Sequence, residues 1–144
     1  MIRRRTMMAE EEEKWKLIEE YTIDSETDRI VFDDILLQNY TKFRIVADIK
    51  TQTCSFWIFL NDNNSTGYKV GQLEYAVSGR RTIDWYLWEN EDGILSTVWT
   101  GTVNGIEKSG SITDELKRSL PVRKILLKTL GGNMESGMVA LYAG

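Results

Sequence analysis

The stretch Lys42–Lys50, which reads KFRIVADIK, decides the fold class of this chain. Its apolar positions are Phe43, Ile45, Ala47 and Ile49, and its charged positions are Lys42, Arg44, Asp48 and Lys50. Successive side chains of a β-strand point to opposite faces of the sheet, so a period of two separates the faces by polarity. The stretch therefore predicts a β-strand with one buried face and one solvent-exposed face.

The same period, or a short apolar run, recurs along most of the chain. Thr82–Glu89 alternates again, and Ser55–Leu60 is a continuous apolar run that suits a central strand covered on both faces. Further predicted strands are Trp15–Ile23, Ile30–Ile35, Tyr68–Val77, Ile94–Val103, Val122–Leu130 and Met138–Tyr142. Clusters of Gly, Asn and Asp between these segments, such as Asn104-Gly105, predict turns.

One segment, Thr113–Leu120, has helical features: Thr113 as N-cap, acidic residues in the first turn, and Pro121 just beyond the end. The pattern as a whole therefore predicts an all-β fold with one short helix, an antiparallel sandwich or barrel of about eight to nine strands. A nucleotide-binding doubly wound sheet is disfavoured, because Gly131-Gly132 is followed by neither a lysine nor a helix.

The chain has 144 residues, of which 42% are hydrophobic, enough for one self-sufficient domain. Residues 1–13 differ from the rest, because three arginines are followed by four glutamates. We therefore predict a charged N-terminal tail or arm over 1–13 and a single β-sandwich domain over 14–144. The charged block is compatible with a solvated tail and with an arm that a neighbouring subunit orders.

Composition excludes several classes of function. The 18 basic and 22 acidic residues give a net charge of -4, the wrong sign for a sequence-independent nucleic-acid binder. The chain contains no histidine, which excludes Ser-His-Asp and Cys-His nucleophile pairs and His-ligated zinc. The single cysteine, Cys54, allows neither an intrachain disulfide nor a multi-cysteine metal site. No apolar run suits a signal peptide or a membrane span, so we expect cytoplasmic synthesis and no membrane insertion.

Two further motifs favour ordinary structure over chemistry. Asp62–Gly67 is similar to the start of a calcium loop, but its twelfth position is Leu73 where an EF-hand needs glutamate, so we predict a polar hairpin loop. Carboxylates for glycoside hydrolysis are present at Asp84, Glu89, Glu91 and Asp92. None of them lies in a recognisable catalytic motif. We therefore predict no enzymatic activity, no cofactor and no bound metal.

The strand Thr82–Glu89 supplies the candidate binding residues. Trp85 and Trp88 have opposite parity in it, so they cannot face the same core, whereas Tyr86 and Trp88 share a face with Asp84. That face either packs on a second sheet or subunit, or is exposed to solvent. An exposed aromatic ring beside a carboxylate suits the flat apolar face and the hydroxyl groups of a sugar. Asp84, Tyr86 and Trp88 are therefore the candidate ligand-binding residues.

The order of these segments is similar to that in a known class of proteins. The start MIRRRTMM precedes an acidic spacer, the apolar strand Trp15–Ile18 and the Phe-containing strand Ile30–Phe32, and Tyr40 leads into the alternating strand Phe43–Ile49. The end, Gly132–Gly144, is similar to a closing Gly-Ser-x-φ-x-Leu-Tyr-Gly strand, except that Ser136-Gly137 inverts the usual order and Ala143 precedes the final glycine. The chain thus resembles small bacteriophage virion proteins, the β-sandwich modules of tail and head fibres and related appendages.

The resemblance implies a jelly-roll-like sandwich that forms a homo-oligomer, expected to be a trimer, within a virion. Its implied partners are further copies of the chain, other virion proteins and a host surface glycan. The predicted function is that of a non-enzymatic structural protein of a bacteriophage or prophage, working as an appendage, fibre or decoration module. The alternative is a lectin-like module that binds carbohydrate or a host receptor.

Overall fold

The structure, a computed structural model, describes residues 15–33, 35–61, 69–89, 95–112 and 122–144. Within these ranges the chain forms ten β-strands, and a short 3-10 helix spans Ile35–Asn39. The strands are β1 (Lys16–Ile23), β2 (Arg29–Phe32), β3 (Lys42–Thr51), β4 (Cys54–Leu60), β5 (Lys69–Ala76), β6 (Gly79–Glu89), β7 (Leu95–Val103), β8 (Ile106–Ile112), β9 (Ile125–Leu130) and β10 (Met134–Ala143). The prediction of an all-β fold is confirmed.

The strands form two antiparallel sheets, one of six strands in the order β1-β10-β3-β6-β7-β8 and one of four in the order β2-β9-β4-β5. The hairpin β7–β8 extends the larger sheet at its edge. Without this hairpin eight strands remain, β1-β10-β3-β6 in one sheet and β2-β9-β4-β5 in the other. If β9 and β10 are counted as the seventh and eighth strands, the two orders are 1-8-3-6 and 2-7-4-5. This is the strand order of a jelly roll, and the predicted jelly-roll-like sandwich is therefore correct.

The core lies between the two sheets, and strand parity determines which side chains enter it. On β3 the buried apolar side chains are Phe43, Ile45, Ala47 and Ile49, the four apolar positions of the alternating stretch. On β6 the buried apolar side chains are Ile83, Trp85 and Leu87. The four-stranded sheet contributes Ile30, Phe32, Phe56, Ile58, Leu60, Leu73, Ile125 and Leu127. Burial of these side chains is the main force that holds the sheets face to face.

The observed elements differ from the predicted ones in number, ten strands against about eight to nine, and at several strand boundaries. β8 is not predicted, because its sequence IEKSGSI lacks apolar alternation. The predicted strand Ile30–Ile35 ends at Phe32, and the 3-10 helix follows it. The last strand begins at Met134, four residues before the predicted start at Met138. The tail 1–13, the loop Asp62–Gly67, the helix Thr113–Leu120 and the acids Glu91 and Asp92 lie outside the described residues.

The β7–β8 hairpin is closed by the predicted turn Asn104-Gly105. Both residues have positive φ, 52° and 81°, as the central residues of a type I′ turn require. The tight turn places β8 in register beside β7, so that Ser109 pairs with Thr100 and Glu107 with Thr102. No helix in the part of the chain that the structure describes has the length and apolarity to cross a membrane.

Candidate functional site

Strand β6 separates its aromatic side chains between the two faces of the larger sheet. Trp85 is fully buried, and its indole N–H donates a hydrogen bond to the carbonyl oxygen of Val70 at 2.8 Å. Trp88 points to the other side and is 39% exposed. Asp84 and Tyr86 share that side and are half-buried. We call this side, which faces away from the four-stranded sheet, the outer face.

Asp84 is held in a fixed orientation by Arg44. The guanidinium Nε lies 3.0 Å from Oδ1 of Asp84 and Nη2 lies 3.0 Å from Oδ2, a bidentate ion pair between β3 and β6. The hydroxyl group of Tyr86 donates a further hydrogen bond to Asp84 Oδ2 at 3.2 Å. Bidentate pairing fixes the plane of the carboxylate as well as its position, and with the Tyr86 bond it uses three of the roughly four lone-pair sites of the carboxylate.

Cations and aromatic rings surround this pair. The Arg44 guanidinium carbon lies 5.1 Å from the centroid of the Tyr86 ring, within cation–π range. The Trp15 ring meets the Tyr86 ring edge to face at a centroid distance of 6.0 Å, and Lys42 Nζ lies 5.1 Å from the centroid of the Trp15 ring. We call these five residues, Trp15, Lys42, Arg44, Asp84 and Tyr86, the Tyr86 cluster.

Electrostatic interactions in the Tyr86 cluster favour a charged Arg44 and a protonated Tyr86. The hydrogen bond with Asp84 raises the pKa of Arg44 and outweighs the opposing effect of burial. Burial also raises the pKa of Tyr86, and the negative charge of Asp84 adds to the effect. The Tyr86 hydroxyl therefore stays protonated near neutral pH and donates its proton to Asp84, which leaves the phenol oxygen as an acceptor for a ligand.

A shallow groove lies beside the Tyr86 cluster on the outer face, with a volume of about 790 Å³. Two rows of side chains, each crossing β3, β6, β7 and β8 in register, line it. The rows are Val46-Asp84-Thr100-Ser109 and Asp48-Thr82-Thr102-Glu107. Most of these side chains are short. The next outer-face residues on β6 are Tyr86 beyond one row and Arg80 beyond the other, and both have long side chains. We call this feature the groove.

Sequence reasoning placed Asp84, Tyr86 and Trp88 on one face, and the structure brings Asp84 and Tyr86 into direct contact. The sequence pattern did not predict that Trp15, Lys42 and Arg44 belong to this site. The parity of β3 already put Lys42 and Arg44 on the polar face of that strand, but only the pairing of β3 with β6 shows that they lie opposite Trp88 and Tyr86.

Neither Glu89 nor Cys54 is part of this site. Glu89 lies five residues beyond Asp84 on an extended strand, so their Cα atoms are roughly 16 Å apart. That spacing and the opposite parity do not suit a glycosidase pair, whose carboxyl groups lie about 5–9.5 Å apart. Cys54 is buried at the start of β4. Within the described ranges no group of three or more His, Cys, Asp or Glu residues could hold a metal ion.

The arrangement is suited to hold an uncharged polar ligand with one flat apolar surface. Aromatic rings contact apolar C–H faces, and the oriented carboxylate and guanidinium accept and donate hydrogen bonds beside them. Sugars combine these two properties in one molecule. In comparisons with known proteins, no family model matches this chain and no curated protein matches it.

Proposed function

We propose that this chain is a non-enzymatic structural protein of a bacteriophage or prophage virion, in which the jelly-roll sandwich works as an appendage, fibre or decoration module. The observation that carries the proposal is the strand order, because jelly rolls are a recurrent architecture of viral capsid domains. The succession of strands and the closing segment Gly132–Gly144, which resemble those of phage fibre modules, support it.

The edges of the larger sheet support self-association. On β1, Leu17 is 49% and Tyr21 37% exposed, and on β8 Ile106 is 65% exposed. Both strands end their sheet among the described residues, and exposed apolar side chains on edge strands favour contact with another chain. A closed ring of identical subunits would bury both edges of each copy against its neighbours. A homotrimer in contact with other virion proteins fits this surface.

Mass photometry and sedimentation velocity of the purified chain test the assembly. We expect a trimer at micromolar concentration, and a shift toward monomer in the double variant Leu17→Glu and Ile106→Glu. Val77→Glu is the matched control, because Val77 is 68% exposed and lies outside the edge strands. A monomer at every concentration tested would contradict the oligomeric role.

The virion assignment needs its own experiment. In the host strain, phage production is induced, particles are purified on a density gradient, and their proteins are identified by mass spectrometry. We expect peptides of this chain to co-purify with intact particles at a constant ratio to the major capsid protein. Peptides found only in the soluble fraction would overturn the assignment to a virion.

A second function, binding of carbohydrate or a host receptor, is favoured by the outer face. The specific observation is the exposed Trp88 on the same strand face as the Tyr86–Asp84–Arg44 contacts. A glycan array tests it: we expect saturable binding that is lost in Trp88→Ala and retained in Val31→Ala, an exposed position on the other sheet. An array that stays blank with the wild-type chain would remove this function.

A further inference from the structure

The groove has the dimensions of a site for a chain molecule. It crosses four neighbouring strands, β3, β6, β7 and β8, which is about 14 Å at an inter-strand spacing of about 4.8 Å. Its volume of about 790 Å³ is in the range of small-molecule binding sites. Its long axis runs across the strands, so a ligand in it would meet a new pair of side chains at each strand.

The lining of the groove is rich in hydroxyl groups at regular spacing. Thr82 and Thr102 are cross-strand partners whose hydroxyl oxygens are 2.7 Å apart, so one donates to the other. In the other row, Thr100 and Ser109 are cross-strand partners between β7 and β8, and both are exposed to solvent. Each hydroxyl can donate one hydrogen bond and accept others. Such a surface matches a ligand that presents hydroxyl groups along its length.

Two of the three carboxylates that line the groove are paired with arginines. Asp84 is paired with Arg44, and Asp48 is paired with Arg80 through two hydrogen bonds of 2.8 and 2.6 Å. The remaining carboxylate in the lining, Glu107, has no arginine opposite it in its row, and the side chain of the next residue, Lys108, is directed to the other face of the sheet by strand parity. An anionic ligand would meet three carboxylates and only two arginines, so the surface favours an uncharged ligand over an anionic one.

We infer that the groove binds a neutral oligosaccharide of several linked units, lying across β3, β6, β7 and β8. The ligand hydroxyl groups bond to Thr100, Thr102 and Ser109, and one sugar ring contacts the Tyr86 side chain at the wall of the groove. The inference rests on the carbohydrate-binding function proposed above as the second candidate. It adds the ligand class, its charge, its extended form and the hydroxyl residues that hold it.

A glycan array followed by isothermal titration calorimetry tests this inference. The array carries neutral, sialylated and sulfated glycans, and the neutral glycans are present as series from one to six units. We expect binding to neutral glycans, with affinity that rises with chain length until the groove is filled. Preference for charged glycans, or equal affinity for a monosaccharide and its longer oligomers, would overturn the inference.

Variants separate the groove from the aromatic cluster. Thr100→Val and Thr102→Val each remove one hydroxyl at nearly constant volume, and we expect each to weaken binding of the longest oligomer by about two- to tenfold. Thr22→Val, an exposed outer-face position on β1 outside the groove, is the matched control and should have no effect. Circular dichroism and urea unfolding verify that each variant is folded.

These measurements distinguish an error in the carbohydrate-binding function from an error in the groove site. If no glycan binds the wild-type chain, the carbohydrate-binding function and the groove site are both wrong. If binding is lost in Trp88→Ala and Tyr86→Ala but unchanged in both groove variants and in Ser109→Trp, which would block the groove, carbohydrate binding stands and the groove site is wrong. Loss in the groove variants with retention in Thr22→Val supports the site described here.

Discussion

Arg44 and Asp84 are joined by two parallel hydrogen bonds of 3.0 Å, although Asp84 is not the register partner of Arg44. The partner of Arg44 across the β3–β6 seam is Tyr86, and that of Asp84 is Val46. The guanidinium therefore contacts the carboxylate diagonally across the two strands and also lies beside the Tyr86 ring. This diagonal contact couples three side chains from two strands, so a change in one should affect the other two.

Arg44→Lys should lower the free energy of unfolding measurably but by less than about 1 kcal/mol, because lysine keeps the charge and loses the bidentate geometry. The two side chains are 32% and 35% exposed, so solvent weakens their attraction. Urea unfolding measures the change. Arg29→Lys is the control, since its ion pair with Asp28 is more exposed and joins sequence neighbours. An equal loss of unfolding free energy in both variants would show that the diagonal contact does not add to stability.

Trp85→Phe should destabilise the fold by about 1–3 kcal/mol, because the carbonyl group of Val70 loses its buried donor and the smaller ring leaves a void. The indole ring also fills the space above Gly71, where an added Cβ would come within 2.9 Å of it. Trp88→Phe, on the outer face of the same strand, should change stability by less than about 0.5 kcal/mol. Thermal and urea unfolding compare the two, and similar losses would contradict the assignment of the faces.

The opposite orientation of Trp85 and Trp88 could be predicted from their parity alone, because the side-chain period of a strand is two. The buried face of β3 followed from the same rule. The contact between Arg44 and Asp84 could not be predicted, since it joins residues 40 positions apart and depends on the register of β3 against β6. A one-residue shift of that register would have put them on opposite faces.

β8 shows why an edge strand is difficult to detect from sequence. Its side chains alternate only between exposed and half-buried, so no apolar period marks it. The inward position Gly110 carries no side chain because the Trp99 ring occupies that space: an added Cβ would lie 2.3 Å from a ring carbon. The aromatic side chain of β7 thus covers the inner side of β8, and the apolar signal appears on the neighbouring strand.

Arg81→Met should lower the free energy of unfolding by about 1.5–3 kcal/mol. Arg81 is 1% exposed, and its guanidinium donates hydrogen bonds to the carbonyl oxygens of Cys54 and Ala76, which ties β6 to the opposite sheet. Burial lowers the pKa of Arg81, yet the group stays charged at neutral pH. Methionine would relieve the cost of the buried charge but leave two acceptors without these donors.

The control for Arg81→Met is Arg80→Met, one position away on the outer face, where the side chain is 71% exposed. It should behave as an ordinary surface substitution. Urea unfolding of both variants under identical conditions decides the comparison. If Arg81→Met were as stable as the wild type, removal of the desolvated charge would offset the loss of the hydrogen bonds. The bonds from Arg81 to the opposite sheet would then not be needed for stability.

Tyr86 should make the fold sensitive to alkaline pH. Its pKa in the folded chain is raised above the ordinary value of 10.0, chiefly by burial and also by the charge of Asp84. The folded state therefore holds the phenol proton more tightly than the unfolded chain does. The resulting stability is fully present below about pH 10 and is lost as the pH rises through the folded pKa.

Tyr86→Phe should remove this component, so its unfolding free energy should fall less steeply than that of the wild type above pH 10, when urea unfolding is measured from pH 8 to pH 12. Tyr21→Phe is the matched control, since Tyr21 is exposed on the edge strand β1, and its curve should follow the wild type. Ultraviolet absorbance of the phenolate should show a late-titrating component that is missing in Tyr86→Phe. Superimposable pH profiles for the two variants would mean that the ring of Tyr86 is as well hydrated as that of Tyr21, which would contradict its half-buried position between Arg44 and Trp15.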